Sequence, residues 1–152
     1  MSHKPWSLLF VCTGNICRSP MAEGLARSYG AQRGIALSAR SASTLGLHDQ
    51  PAHKHAVRVM SELRMDISQH QAQPVTDALV EEADHILVME IMHAAKLRDR
   101  HPGAGEKIML LGTFGGLVEI PDPLGGWRGR FRKSRDEIRH CVETFIDRLP
   151  QR

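Results

Sequence analysis

Short unbroken apolar runs alternate along this chain with stretches in which apolar residues return every three or four positions. Residues 7–12 (SLLFVC) form such a run, as expected of a strand covered on both faces. Met21, Leu25 and Tyr29 then recur at helical spacing up to Gly30, and Pro20 suits the first turn of that helix. Residues 35–41 read as a weaker strand. Residues 52–63 read as a helix with Ala56, Val59 or Met60, and Leu63 on one face. Thr76 is placed to cap a short helix through Ala83. Residues 85–89 (HILVM) are the next buried strand, 91–100 the next helix and 108–111 (IMLL) the last strand. Ile138, Val142, Phe145 and Leu149 stripe a C-terminal helix with two candidate starts. Ser134 with Glu137 resembles a capping box, while Trp127 and Phe131 also fall at helical spacing.

Strand and helix therefore alternate, which predicts an α/β fold of three layers, a parallel sheet with helices on both faces. Right-handed crossovers gather the loops that follow the strands along one edge, where open sheets of this kind bind ligands. No repeat or linker divides the 152 residues, so one domain over 1–152 is expected. The 41% hydrophobic and 24% charged content is that of a globular domain. No run approaches the roughly 18 apolar residues of a membrane span, and the start lacks a signal-type apolar region, so a cytoplasmic location without membrane contact is expected. Three cysteines cannot build a disulfide framework and suit a reducing compartment. Net charge is only +3. The basic cluster over 128–139 is interrupted by Asp136 and Glu137, which favours a solvated helix face over a nucleic-acid site.

The most informative segment is VCTGNICRSP, residues 11–20, lying between a strand and a helix. A helix N-terminus offers unpaired N–H groups and the positive end of a dipole, which together attract an anion. Gly14 permits a tight turn, and Asn15 tolerates the left-handed conformation. Such a turn can aim successive N–H groups inward as a nest for phosphate oxygens. Thr13, Gly14, Asn15, Ile16, Cys17 and Ser19 are the candidate contacts. Cys12 opens the loop, and the N–H dipoles with Arg18 favour its thiolate, the form that acts as nucleophile. The planar fork of Arg18 can grip two phosphoryl oxygens. Ser19 can donate a hydrogen bond to the thiolate. Cys12 alone would read as a buried structural cysteine; the joint set argues for chemistry. A nucleotide-binding loop would end in Gly-Lys-Ser/Thr, which is missing here.

Cleaving a phosphate ester also needs an acid for the leaving oxygen. Asp122 in IPDPLGG lies between two prolines on a loop that follows the last strand, hence on the same edge as Cys12. Alone it would read as a turn aspartate.

At these residues the chain resembles the low-molecular-weight protein tyrosine phosphatases, over nearly its whole length. VCTGNICRSP and the late Asp-Pro stand in that family's order and distance. The resemblance implies a four-stranded parallel sheet, a covalent cysteinyl-phosphate intermediate, hydrolysis by water, and neither metal nor cofactor. It implies loop support from Asn15, Ser19, Ser41 and His70, with Ser41 and His70 hydrogen-bonding around Asn15. It implies a phosphotyrosine protein as substrate, a tyrosine kinase among the candidates in bacterial members.

Leu47 and Leu124 occupy positions where phosphotyrosine-specific members usually carry aromatics. His48 sits beside Leu47 at the expected rim. Trp127 stands nearby, either compensating or packing in the core. Protein-arginine phosphatases resemble this chain down to a Gly-Gly after Asp-Pro (here Gly125 and Gly126), but carry a small threonine in place of Ile16. Arsenate reductases of the same scaffold need two further cysteines near 82–94, a stretch that has none. A catalytically silent phosphate-binding module is the alternative outside enzymology. Cys17 is either a packing residue or, as the resemblance favours, a reversible disulfide partner of Cys12. Cys141 reads as a core or surface residue of the last helix. The nine histidines show no metal-site spacing, and His53 and His55, alternating within an expected helix, should not share a face.

Overall fold

The computed structural model describes residues 4–151; the expected domain limits at 1 and 152 lie outside them. Four strands, β1 (Trp6–Cys12), β2 (Leu37–Ser43), β3 (His85–Val88) and β4 (Ile108–Leu110), form one parallel sheet in the order β2-β1-β3-β4. The helices are α1 (Arg18–Arg33), α2 (Lys54–Ser61), α3 (Asp77–Glu82), α4 (Ile91–Arg100) and α5 (Arg128–Asp147), with 3₁₀ segments over Pro102–Lys107 and Leu111–Gly115.

Alternation along β1 divides the core. Leu8, Phe10 and Cys12 face residues of α1, α2 and α5, among them Met21, Met60, Phe131 and Val142. Leu9 and Val11 face the α3 and α4 side with Leu79, Val80 and Leu97. Both faces are dry, which explains the unbroken apolar runs. The chain leaves β1 toward β2 on one side and later returns to β3 on the other. The strand order therefore reverses at the end of β1, directly at Cys12, where open α/β sheets form a ligand crevice.

Several boundaries depart from expectation. Helix α1 passes Gly30 and ends at Arg33, where Gly34 takes a left-handed φ of 66° and Ile35 N–H returns to the Gly30 carbonyl at 2.8 Å. Gly30 instead admits β2: a Cβ there would stand 2.6 Å from Leu37 Cδ2. The expected helix over 52–63 is shorter, because His53 caps it through Nδ1, which accepts the His55 N–H at 3.0 Å. Helix α5 starts at Arg128, so Ser134 is a buried interior residue without a hydrogen-bond partner rather than a cap. Within the basic cluster Arg135 is buried, donating to the Val59 carbonyl and pairing with Glu62. Thr76 caps α3 as its position predicts, accepting the Leu79 N–H.

Candidate active site

The segment between β1 and α1 wraps the start of α1 into a bowl. Its carbonyls are tied outward: Cys12 O accepts from Thr44 N, Thr13 O from Leu45 N, and Ile16 O from His53 N, at 2.8–3.1 Å. The Asn15 carbonyl accepts from His70 Nε2 at 2.7 Å. In a trans peptide the following N–H points the opposite way. The amides of Gly14, Ile16 and Cys17 therefore face away from these ties, toward the inside of the bowl, where partial positive charge collects.

Asn15 makes this turn possible. It holds a left-handed φ of 57° and is wholly buried. Its Oδ1 accepts the Gln73 N–H at 3.0 Å, and its Nδ2 donates to Ser19 Oγ at 2.8 Å. The Ser19 oxygen, already an acceptor, has its own hydrogen left for Cys12 Sγ, 2.9 Å away.

Arg18 is the largest fully buried side chain of the protein's described part. Its Nη1 donates to Glu90 Oε2 at 2.6 Å and to the Ile120 carbonyl at 2.7 Å. Its Nε is buried with no hydrogen-bond partner, and its Nη2 comes only within 3.8 Å of Asp122 Oδ2. Nε and Nη2 form one edge of the guanidinium fork, so the edge able to take two oxygens stays open while the remaining nitrogen anchors the group. An unpartnered buried donor is unfavourable unless a ligand satisfies it.

Asp122 caps its own loop, Oδ1 accepting the Leu124 N–H at 3.0 Å. Its side chain is 42% exposed, so the carboxyl lies between buried Arg18 and solvent. Gly125, with φ of 88°, turns the chain from this loop toward α5.

The sequence also leaves Gln73 unmarked, together with two contributors from one element, Glu90 and His93. Both lie at the start of α4, on the sheet edge that carries the loop. Glu90 N–H donates to His93 Nδ1 at 3.1 Å, so the neutral ring carries its hydrogen on Nε2 and donates to Thr13 Oγ1 at 2.8 Å. Burial, then the Arg18 charge, hold His93 down at about 4. The start of α4 thereby braces the loop between β1 and α1 at both ends, Thr13 through His93 and Arg18 through Glu90. The available signal was an acidic residue directly after a buried strand.

Ser41 does not reach Asn15. Its place opposite Phe10, two residues before β2 ends, aims its hydroxyl at Glu23 Oε1, 2.7 Å away; the bond to Asn15 Oδ1 comes from Gln73 instead. His53 and His55 do come together, ring centroids 5.2 Å apart against Phe131, because His53 precedes the helix. On the rim, Leu47 Cδ1 and Ile16 Cγ1 lie within 3.7 Å of where a Gly14 Cβ would stand. Two N–H bonds to Ser43 Oγ, from Gly46 and Leu47, hold that rim turn. His48 and Leu124 are exposed. Trp127 is 85% exposed, which removes it from the core. Cys12, Cys17 and Cys141 are free and buried. Burial above all, with Asp122 and Cys12 nearby, pushes the Cys17 thiol up to about 12, so it is uncharged at neutral pH. Among the described residues no group of three or more His, Cys, Asp or Glu could hold a metal ion, and no helix is long and apolar enough to cross a membrane.

The family model for low molecular weight phosphotyrosine protein phosphatases matches residues 7–152. A probable low molecular weight protein-tyrosine-phosphatase, EpsP of Ralstonia nicotianae, is 36% identical over 143 residues, 94% of this chain and 95% of that protein. A protein-arginine-phosphatase of Bacillus subtilis is 31% identical over 144 residues, 93% of this chain and 95% of that protein. The structure of the tyrosine phosphatase Wzb of Escherichia coli in complex with sulphate superposes with a TM-score of 0.88 at 31% identity, covering 95% of this chain and 98% of that chain.

Proposed function

The chain belongs to the low molecular weight phosphotyrosine protein phosphatase family, and we propose that it hydrolyses phosphotyrosine in proteins with Cys12 as nucleophile, Arg18 as phosphate clamp and Asp122 as proton donor. One observation carries the assignment of roles: a fully buried guanidinium, anchored through Nη1, keeps its Nε without a partner in the same loop as a thiol hydrogen-bonded to a hydroxyl at 2.9 Å. That arrangement is incomplete until an oxyanion occupies it.

The Cys12 thiolate attacks phosphorus in line with the ester oxygen. The S–P bond forms, the P–O bond to the phenol breaks, and Asp122 gives its proton to the leaving phenolate. The inward amides and the open edge of Arg18 hold the three equatorial oxygens, over which the transition-state charge is spread; positioning and electrostatics supply most of the rate. In the second step Asp122, now ionised, takes a proton from water as that water attacks phosphorus. The thiolate departs with the Ser19 hydroxyl as its hydrogen-bond donor, and inorganic phosphate leaves.

Ile16 and Leu47 support tyrosine over arginine as the phosphorylated residue. They give the loop an apolar shoulder suited to a phenyl ring, whereas a phosphoguanidinium wants acceptors there. A cytoplasmic location belongs to the same reading, supported by the three free thiols, which a reducing compartment preserves. The test measures phosphate release from phosphotyrosine, phosphoarginine and phosphoserine peptides of one sequence. Phosphotyrosine should be preferred by at least about tenfold in kcat/KM, and Cys12→Ser should abolish turnover of all three. Preference for phosphoarginine would overturn the substrate, and wild-type turnover by Cys12→Ser would overturn the mechanism.

A further inference from the structure

Among the described residues the exposed large apolar side chains are Leu45, Ile91, Met92, Val118, Leu124 and Trp127. None lies on the outer face of α1, α2 or α3, or at the edge of the sheet where the strands begin. Leu45 follows β2, and its N–H binds the Thr13 carbonyl. Ile91 and Met92 follow β3, immediately after the Glu90 that holds Arg18. Val118, Leu124 and Trp127 follow β4, in the segment that supplies the Ile120 carbonyl to Arg18 and carries Asp122. In a parallel sheet these loops share one edge, and it is the edge of the phosphate loop. Between 46% and 85% of each of these side chains meets water. Exposed apolar residues gathered on one side of a domain mark a recognition surface, and Trp and Met are typical of such surfaces.

We infer that this edge is the docking surface for the protein segment around the phosphorylated residue, and that it selects substrates with bulky apolar residues on both sides of that residue. The inference rests on the phosphatase reading above. The occupant follows from continuity with the site. A protein that lowers a phosphoryl group onto the Cys12 loop must lay the flanking chain over the loops after β2, β3 and β4, because the phosphate floor is ringed by them. Burying these side chains against apolar flanks removes apolar surface from water on both partners, whereas polar flanks would leave it covered but unmatched. Trp127 is the principal anchor, since a large rigid side chain loses little freedom on binding and aromatic truncations dominate interface energetics.

The experiment compares two phosphotyrosine peptides of equal length and charge. One carries Leu, Ile or Phe at the two positions on either side of the phosphoresidue, the other Ser, Thr or Gln. The wild type should favour the apolar-flanked peptide by about tenfold in kcat/KM, mainly through KM. Trp127→Ala, and separately the double variant Ile91→Ser with Met92→Ser, should each lose most of that preference. Both should hydrolyse p-nitrophenyl phosphate, which has no flanks, within about twofold of wild type, a result that also reports a folded site. Equal turnover of the two peptides by the wild type would overturn the inference, as would variants that slow p-nitrophenyl phosphate and peptides alike. Sedimentation of the wild type as a dimer that these variants disperse, without any peptide preference, would assign the edge to a second copy of the chain and overturn it too. A wild type inert toward p-nitrophenyl phosphate would instead bring down the phosphatase reading, and the docking inference with it.

Discussion

On the floor of the site, both ends of the Asn15 amide are hydrogen-bonded, Ser19 links Asn15 to Cys12, and Arg18 is anchored at Nη1 by a carboxylate and a carbonyl. On the rim, Leu124 is 51% and Trp127 85% exposed, and neither side chain forms a hydrogen bond. The floor is held by directional bonds between buried polar groups, where a misplaced atom leaves a donor or acceptor unsatisfied at about 1–3 kcal/mol. The rim presents apolar surface, which is non-directional and tolerant of exchange. The chemistry of phosphoryl transfer is thereby insulated from changes in what is recognised. This chain is 36% identical to a relative named for tyrosine and 31% identical to one named for arginine.

Four changes would break or sharpen this contrast. Arg18→Lys on the floor keeps the charge but loses the open two-nitrogen edge and the anchor to Ile120 O. It should lower kcat/KM toward p-nitrophenyl phosphate by roughly 10²–10³-fold; a change under about tenfold would show that the fork geometry is unimportant. Asp122→Ala should cost on the order of 10²-fold with phenyl phosphate and clearly less with p-nitrophenyl phosphate, whose better leaving group needs less protonation. Equal losses would remove Asp122 from the role of acid.

His93→Gln tests the brace from α4. The folded protein keeps His93 neutral down to about 4, whereas the unfolded chain protonates it near the ordinary 6.5. Between those values the unfolded state binds more protons. The neutral ring's contribution is therefore fully present above 6.5 and is lost as pH falls toward 4. For the wild type this depression corresponds to about 3 kcal/mol across that window. Glutamine, which offers an N–H to Thr13 without titrating, should flatten the pH dependence of the urea midpoint relative to wild type. Parallel curves for the two proteins would assign that slope to other groups. Leu124→Ala, on the rim, should leave thermal stability within about 0.5 kcal/mol because the side chain is mostly exposed, and should raise KM for a phosphotyrosine peptide a few-fold. A fall in kcat as large as that of Asp122→Ala would show that the rim also positions the acid.

Legibility in the sequence followed distance along the chain. Strand β1, the loop and the start of α1 are contiguous, and an apolar run, a glycine, an asparagine and an arginine mark them within fourteen residues of one another. Glu90 stands 72 residues from Arg18 and His93 80 from Thr13, with no periodicity to connect them. His70 was reached by resemblance rather than by spacing. Ser41 meets Glu23 on α1 rather than Asn15, a partner that depends on the register of β2 against β1 and that local sequence does not encode. Gly30 reads locally as a helix terminator, yet α1 continues to Arg33 and Gly30 serves the close approach of Leu37.

Order of elements, parallel sheet, and a cysteine and an arginine bracketing the loop between β1 and α1 were all settled by the amino-acid sequence. Each depends on apolar period or on short-range backbone geometry, which neighbouring residues dictate. The tether of Arg18 to Glu90, the neutral tautomer of His93, the partners of Asn15 and the gathering of the exposed apolar residues on one edge were decided only when the strands took the order β2-β1-β3-β4. Hydrogen bonds and burial act over a few ångströms in space, and only the completed sheet brings residues so far apart in the chain within that range.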